Sequence, residues 1–134
     1  MKILPQLIFV FLFVLLSACE KDSSKPDDKQ LIARSWKAAQ VLTDGAPDDK
    51  GNYSVYRWEF KSEETYTFTT PAGKQSGTWE LINNNKILLL DAGTAAEKEG
   101  IITQLTESSF EWTTTVQSYK KSTVQLTLKL IPSE

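Results

Sequence analysis

Large apolar and polar side chains alternate along much of this chain from residue 35 onward, and this alternation constrains the fold more than any other feature. It is clearest in residues 53–60 and 65–69. A period of two places successive side chains on opposite faces of a β-strand. Further segments rich in β-branched and aromatic residues are residues 35–42, 77–82, 86–91, 100–106, 109–118 and 122–131. The sequence therefore predicts eight strands.

The segments between these strands are mostly short and rich in turn-forming residues such as Gly, Pro, Asn and Ser. None is long enough for a helix that would return the chain between parallel strands. Neighbouring strands should therefore pair antiparallel, and eight strands avoid exposed edges best by closing on themselves. We expect an all-β domain at residues 31–134, an eight-stranded antiparallel up-and-down barrel with a short helical segment at residues 29–35.

The alternation also predicts which side chains point into the barrel. The inward set is Tyr56, Trp58, Phe60, Tyr66, Phe68, Trp79, Leu81, Phe110, Trp112, Val116, Val124, Leu126, Leu128 and Leu130. An eight-stranded barrel is just wide enough to be filled by its own side chains or to hold one small ligand. If a pocket is present, its candidate walls are Tyr56, Trp58, Tyr66 and Trp112, because aromatic faces give apolar contact and hydroxyls can orient a ligand.

Residues 1–18 have the parts of a signal peptide. Lys2 supplies a positive charge, residues 3–16 are largely apolar, and Ser17 and Ala18 are small. The apolar run is shorter than the ~20 residues that a membrane-spanning helix needs. The segment is therefore predicted to direct export and to be removed.

The tetrapeptide LSAC at residues 16–19 resembles the lipobox of bacterial lipoproteins, in which the cysteine becomes the first mature residue and carries lipid. This resemblance implies that Cys19, the only cysteine of the chain, anchors the protein in a membrane. The alternative is an ordinary signal peptide that leaves Cys19 as a free thiol or in an intermolecular disulfide. Residues 19–30 are polar and charged, which predicts a flexible tether.

The segments LIARSWK, GTWEL, KILLL and ITQLT, in this order, resemble the lipocalin-like domains of Bacteroidetes lipoproteins. The resemblance implies a location in the cell envelope, lipid-anchored in the outer membrane on its periplasmic face or at the cell surface. In the wider lipocalin superfamily, a Gly-x-Trp motif begins the first strand and an arginine near the last strand covers the tryptophan. Here Arg34 takes the glycine position and Lys129 is the only cation of the last strand. Trp36 is therefore expected to close the barrel floor and to pack on the stem of Lys129.

The composition argues against catalysis. The chain has no histidine, and with Cys19 assigned to a lipid the usual metal ligands and catalytic bases are missing. Glu59, Glu80 and Glu111 alternate with inward aromatic residues, so they are expected to face solvent. The acidic loop at residues 44–52 does not have the spacing of an EF-hand. We expect no catalytic residues, no metal and no cofactor, and hence no enzyme.

Two functional hypotheses follow. The net charge of −2 and the absence of a long basic cluster argue against nucleic acid as a partner. The first hypothesis is a lipid-anchored envelope lipoprotein whose barrel binds a small apolar or amphipathic ligand. The alternative is a filled barrel that serves as a protein-interaction or structural module in an envelope complex.

Overall fold

The strands of this protein join in one antiparallel sheet that closes on itself. The computed structural model describes residues 25–120 and 122–134. Its strands are β1 (Ser35–Thr43), β2 (Ala46–Pro47), β3 (Arg57–Phe60), β4 (Thr65–Thr70), β5 (Gly73–Ile82), β6 (Ile87–Leu90), β7 (Lys98–Leu105), β8 (Phe110–Gln117) and β9 (Thr123–Pro132). A short helix, α1, spans Asp28–Ile32, and a 3₁₀ turn covers Tyr53–Val55.

Closure of the barrel depends on β1, which pairs with β3 on one side and with β9 on the other. The remaining strands pair in sequence order, as the short connectors predict. The two-residue β2 lies outside this ring and pairs only with the end of β1. The predicted all-β class and the eight-stranded antiparallel barrel are therefore confirmed, with one additional strand.

Among the strands that begin at other residues than the alternation predicts, β3 and β5 differ most. β3 begins at Arg57 rather than at residue 53, because Tyr53–Val55 form the 3₁₀ turn and the Tyr56 N–H donates to the Tyr53 carbonyl at 2.9 Å. β5 begins at Gly73 rather than at residue 77, because its polar first half continues the ladder with β4. In both places backbone hydrogen bonding determines where the strand begins, and the pattern of apolar residues does not reveal that position.

The end of the barrel that carries α1 and the β3–β4 and β7–β8 turns is densely packed, and we call it the closed end. Its fully buried side chains are Ile32, Trp36, Phe60, Trp79, Leu88, Phe110 and Leu130. The ring centroid of Phe110 lies 5.5 Å from that of Trp36 and 6.2 Å from that of Phe60. This packing corresponds to the filled core that an eight-stranded barrel can form from its own side chains.

Helix α1 covers the closed end. Its N-cap, Asp27, accepts a hydrogen bond from the Gln30 N–H at 2.7 Å, and the Gln30 side chain accepts one from the Asp27 N–H at 3.2 Å. This reciprocal capping box satisfies backbone donors that a helix start leaves unpaired. The helix then buries Leu31 and Ile32 against the barrel. No helix in residues 25–120 and 122–134 has the length and apolar character needed to cross a membrane.

Trp36 lies at the closed end as predicted, but the expectation that it packs on Lys129 is wrong. Leu128 and Leu130 are buried inside the barrel, so Lys129 between them faces outward, where its Nζ lies 3.8 Å from Glu111. The cation beside Trp36 is instead Arg34, whose guanidinium carbon lies 5.6 Å from the indole centroid. Arg34 reaches this place because it immediately precedes β1.

Candidate functional site: a cavity in the open half of the barrel

The other end of the barrel, which carries the β4–β5, β6–β7 and β8–β9 connections, encloses a cavity of about 190 Å³ that is partly open to solvent. Its lining consists of Val41, Tyr53, Tyr56, Trp58, Tyr66, Phe68, Gln75, Leu90, Lys98, Trp112, Thr114, Val116, Leu126 and Leu128. An engineered apolar cavity of about 150 Å³ binds benzene. The space here can therefore hold one aromatic ring or a short acyl chain.

One wall of the cavity is aromatic and comes from the 3₁₀ turn, β3 and β4. Trp58 and Phe68 stack with their ring centroids 4.4 Å apart and their planes inclined by 20°. Tyr56 packs against Phe68 at 5.7 Å and against Tyr53 at 5.3 Å. The register explains the stack, because Trp58 and Phe68 are directly paired across β3 and β4. The rings hold one another in place, so this wall is formed without a ligand.

The opposite wall includes Trp112 of β8, which is only 3% exposed. One edge of its six-membered ring lies so close to Gly100 of β7 that a Cβ there would overlap it. The missing side chain at Gly100 therefore lets the indole lie against the barrel wall and leaves the interior open. The sequence gives no sign of this contact beyond the glycine itself.

The indole N–H of Trp112 has no hydrogen-bond partner within residues 25–120 and 122–134, although it is buried. The corresponding groups of Trp36 and Trp79 donate to the carbonyls of Ile32 and Lys61, both at 3.0 Å. A buried donor without a partner costs about 1–3 kcal/mol, and such groups are rare in native proteins. The unpaired indole N–H of Trp112 therefore lies on the cavity wall, whereas the indole N–H groups of Trp36 and Trp79 in the closed half have hydrogen-bond partners.

Two tyrosine hydroxyls of the aromatic wall are bound by carboxylates. Tyr66 donates to Asp91 at 2.7 Å, and Tyr53 donates to Asp48 at 2.6 Å. Burial, and then the bond to Asp91, raise the pKa of Tyr66. The hydrogen bond to Asp48, followed by burial, raises the pKa of Tyr53 to about 12, and the same bond lowers the pKa of Asp48. Both tyrosines are neutral at pH 7 and present their rings to the cavity while their hydroxyls bind the protein.

Three polar side chains complete the lining. Thr114 donates to the Glu99 carbonyl at 2.6 Å, so its hydroxyl hydrogen is used inside the barrel wall. Gln75 and Lys98 are exposed. Gln75 lies two residues into β5 and Lys98 is the first residue of β7, so both are near the open end. The opening of the cavity to solvent is therefore flanked by the amide group of Gln75 and the ammonium group of Lys98.

The structure brings together the four residues predicted as pocket walls. Tyr56, Trp58, Tyr66 and Trp112 all line this one cavity, and their role in binding stays a prediction. Cys19 lies outside the described residues. Sequence reasoning missed several lining residues, namely Val41, Tyr53, Gln75, Leu90, Lys98 and Thr114.

These omissions have different causes. Gln75 and Lys98 precede the predicted starts of their strands, in polar stretches that do not alternate. Val41 follows a bulge between Ala38 and Gln40 that shifts the register of β1, and a sequence pattern does not reveal such a shift. Tyr53 lies out of register with Trp58 and is therefore not in the predicted inward set, but it belongs to the 3₁₀ turn, where it is half-buried and its hydroxyl donates to Asp48 at 2.6 Å.

The carboxylates considered for catalysis lie on the outer face. Glu59 and Glu80 are exposed, and Glu111 alternates with buried Phe110 and Trp112. Among the residues that the structure describes, no three His, Cys, Asp or Glu side chains are grouped so that they could hold a metal ion. The cavity therefore offers a ligand mainly apolar contacts, with polar side chains at its open end.

No protein-family model matches this chain, and a search of curated proteins finds no match to it. The resemblance to lipocalin-like lipoproteins therefore depends on the short motifs quoted above.

Proposed function

We propose that this protein is a binding protein rather than an enzyme, and that it holds a small apolar or amphipathic molecule in the open half of its barrel. The observation that carries this proposal is the cavity, whose aromatic wall is already packed in place. A preformed apolar pocket with a few polar groups is the usual form of a small-molecule site. It also lowers the cost of ordering side chains on binding.

The energetic cost of the cavity supports a functional reason for it. At ~24 cal/mol per Å³ of unfilled volume, a sealed, empty cavity of about 190 Å³ would cost about 5 kcal/mol relative to a filled core, and the opening to solvent makes this an upper bound. That is a large part of the 5–15 kcal/mol by which folded domains are stable. A barrel that served only as a rigid module would be more stable if larger side chains filled the space, as they do at the closed end.

A fluorescent probe tests the proposal directly. The neutral dye N-phenyl-1-naphthylamine should bind the purified protein saturably, with one of its rings in the cavity and the remainder in the open mouth. Trp58→Ala should weaken that binding at least tenfold because it removes the stacked wall. Trp79→Phe is the matched control, since Trp79 lies in the closed half and its truncation should change stability but not dye affinity. Absence of saturable binding to the wild-type protein would refute the proposal.

The alternative, an interaction module in an envelope complex, is supported by exposed apolar side chains, of which two are the most exposed among the described residues. Ile101 on the outer face of β7 is 57% exposed, and Tyr119 in the β8–β9 turn is 90% exposed. Single exposed apolar residues are common on monomeric proteins, so these two carry less weight than the cavity. If the dye does not bind, an interaction through the outer face of the barrel becomes the leading candidate for function.

We further propose that the barrel is tethered to a membrane of the cell envelope, the outer membrane, through lipid on Cys19, with removal of residues 1–18. The motif LSAC supports this, and several acyl chains together give a stable anchor. In cells fed labelled palmitate, the wild-type protein should take up label and Cys19→Ser should not. Because Cys19 is the only cysteine, unchanged labelling of the variant would contradict a thioether lipid anchor.

A further inference from the structure

We infer that the ligand of this cavity carries an anionic group and that Lys98 binds this group at the cavity mouth. The inference rests on the proposed function and specifies the class of ligand. It depends on the position of Lys98, on the charges around it and on the size of the cavity.

Lys98 occupies an inward position at the open end of the barrel. It begins β7, two residues before Gly100, which is buried against Trp112. Alternation along the strand therefore directs Lys98 to the same side of the sheet. Its side chain contributes to the cavity lining and is also exposed. The ammonium group can thus meet a ligand that protrudes from the cavity while its stem contacts the apolar wall.

Lys98 is the one charged residue among those that line the cavity in the described part of the chain. The ion pairs found there join Lys29 to Glu64 and Lys129 to Glu111, so neither engages Lys98. An unneutralised cation at the edge of a cleft with low-dielectric walls attracts anions. An apolar ligand with an acidic end would match this arrangement.

Glu99 follows Lys98 on β7 and alternates to the opposite side of the sheet, and two other carboxylates close to Lys98 in the chain or across the β6–β7 pairing are bound to other groups. Asp91 accepts from the Tyr66 hydroxyl and from the Thr78 N–H, the latter at 3.1 Å. Glu97, next to Lys98 in sequence, accepts from the Gly93 N–H at 2.6 Å. These contacts hold both acidic groups in the protein framework, and neither residue is part of the cavity lining.

Gln75 adds a second polar group to the mouth. It lies on β5, which is separated from β7 only by the four-residue strand β6. A carboxylate or sulfonate has several acceptor sites, so it can accept from an amide N–H as well as from an ammonium group. Together with the volume of about 190 Å³, this defines the ligand class as an acidic amphiphile with one ring or a short chain buried in the barrel.

A pair of dyes with the same ring system tests the inference. N-phenyl-1-naphthylamine is neutral, and 8-anilinonaphthalene-1-sulfonate adds a sulfonate. Lys98→Met should weaken binding of the sulfonate dye about five- to tenfold, the effect of losing one charge-assisted contact at a partly exposed site. Affinity for the neutral dye should stay unchanged, which also shows that the variant is folded and its cavity intact.

Lys74→Met is the matched control for net charge. Lys74 is exposed and neighbours Gln75 on β5, so alternation places its side chain on the outer face near the same rim. The control should bind both dyes as the wild-type protein does. An equal loss of affinity for the sulfonate dye in Lys74→Met and Lys98→Met would overturn the inference. Equal affinities of the wild type and Lys98→Met for this dye would also overturn it. If the neutral dye still binds the wild-type protein saturably under either of these outcomes, the proposed function stands. If neither dye binds the wild-type protein, the proposed function and this inference both fail.

Discussion

Trp36 shows how a single residue secures one end of this barrel. Its ring is completely buried against Phe110, and its indole N–H donates to the Ile32 carbonyl of α1 at 3.0 Å. Arg34 lies over the indole and donates to the Glu107 carbonyl at 2.9 Å, which connects the start of β1 to the β7–β8 turn. One side chain therefore joins the helix, the first strand and the core.

Trp36→Ala should lower the free energy of unfolding by about 3–5 kcal/mol, because it removes a large buried ring and leaves a cavity. Chemical denaturation measures this. Gln40→Ala, at an exposed position of the same strand, is the control and should stay within about 0.5 kcal/mol of the wild type. Equal midpoints for Trp36→Ala and the wild type would contradict the role of Trp36 in the core.

The bond between Tyr53 and Asp48 predicts a dependence of stability on alkaline pH. The pKa of Tyr53 rises from 10.0 to about 12 in the folded protein, mainly because its hydroxyl donates to Asp48. A raised folded-state pKa means that the stabilisation is complete below pH 10 and is lost as the pH rises from about 10 through about 12. Urea denaturation between pH 9 and pH 12 should therefore show a steeper loss of stability for the wild type than for Tyr53→Phe. Parallel curves would show that this bond does not contribute.

At the scale of elements, α1 depends on its cap. A helix of five residues is too short to be stable by itself, so the capping box of Asp27 and Gln30 and the burial of Leu31 and Ile32 must hold it. Asp27→Ala should lower the free energy of unfolding by about 1 kcal/mol. Lys25→Ala, at an exposed position before the helix, should not change it. Equal denaturation midpoints for Asp27→Ala and the wild type would show that the cap is dispensable.

The strands that could be predicted are those whose side chains alternate between core and solvent. In β8, Phe110 and Trp112 are buried, and the pattern indicates their direction. The first halves of β5 and β7 could not be located, because Gly73 to Ser76 and Lys98 to Glu99 are polar or small and carry no period of two. Those stretches are held by backbone bonds to neighbouring strands, and they contribute the two polar groups of the cavity mouth.

At the scale of the whole molecule, barrel closure could be predicted but the division of its interior could not. Short connectors and the cost of exposed edges were sufficient to predict the ring of strands. The space in the open half of the barrel, in contrast, depends on two glycines that other side chains approach closely. Trp112 lies against Gly100, and the Asp91 carboxylate occupies the space over Gly77, where a Cβ would overlap it. Such contacts depend on the shapes of residues distant in sequence, so no local pattern encodes them.

The position of α1 at the closed end determines which pole of the barrel continues into the N-terminal region of the chain. The chain enters the barrel beside Trp36, at the pole opposite Gln75 and Lys98. An attachment through the preceding residues would join the closed end to the surface and leave the cavity mouth at the far pole, where the attachment does not cover it. A dissolved ligand would then reach the mouth without passing between the protein and the surface that holds it.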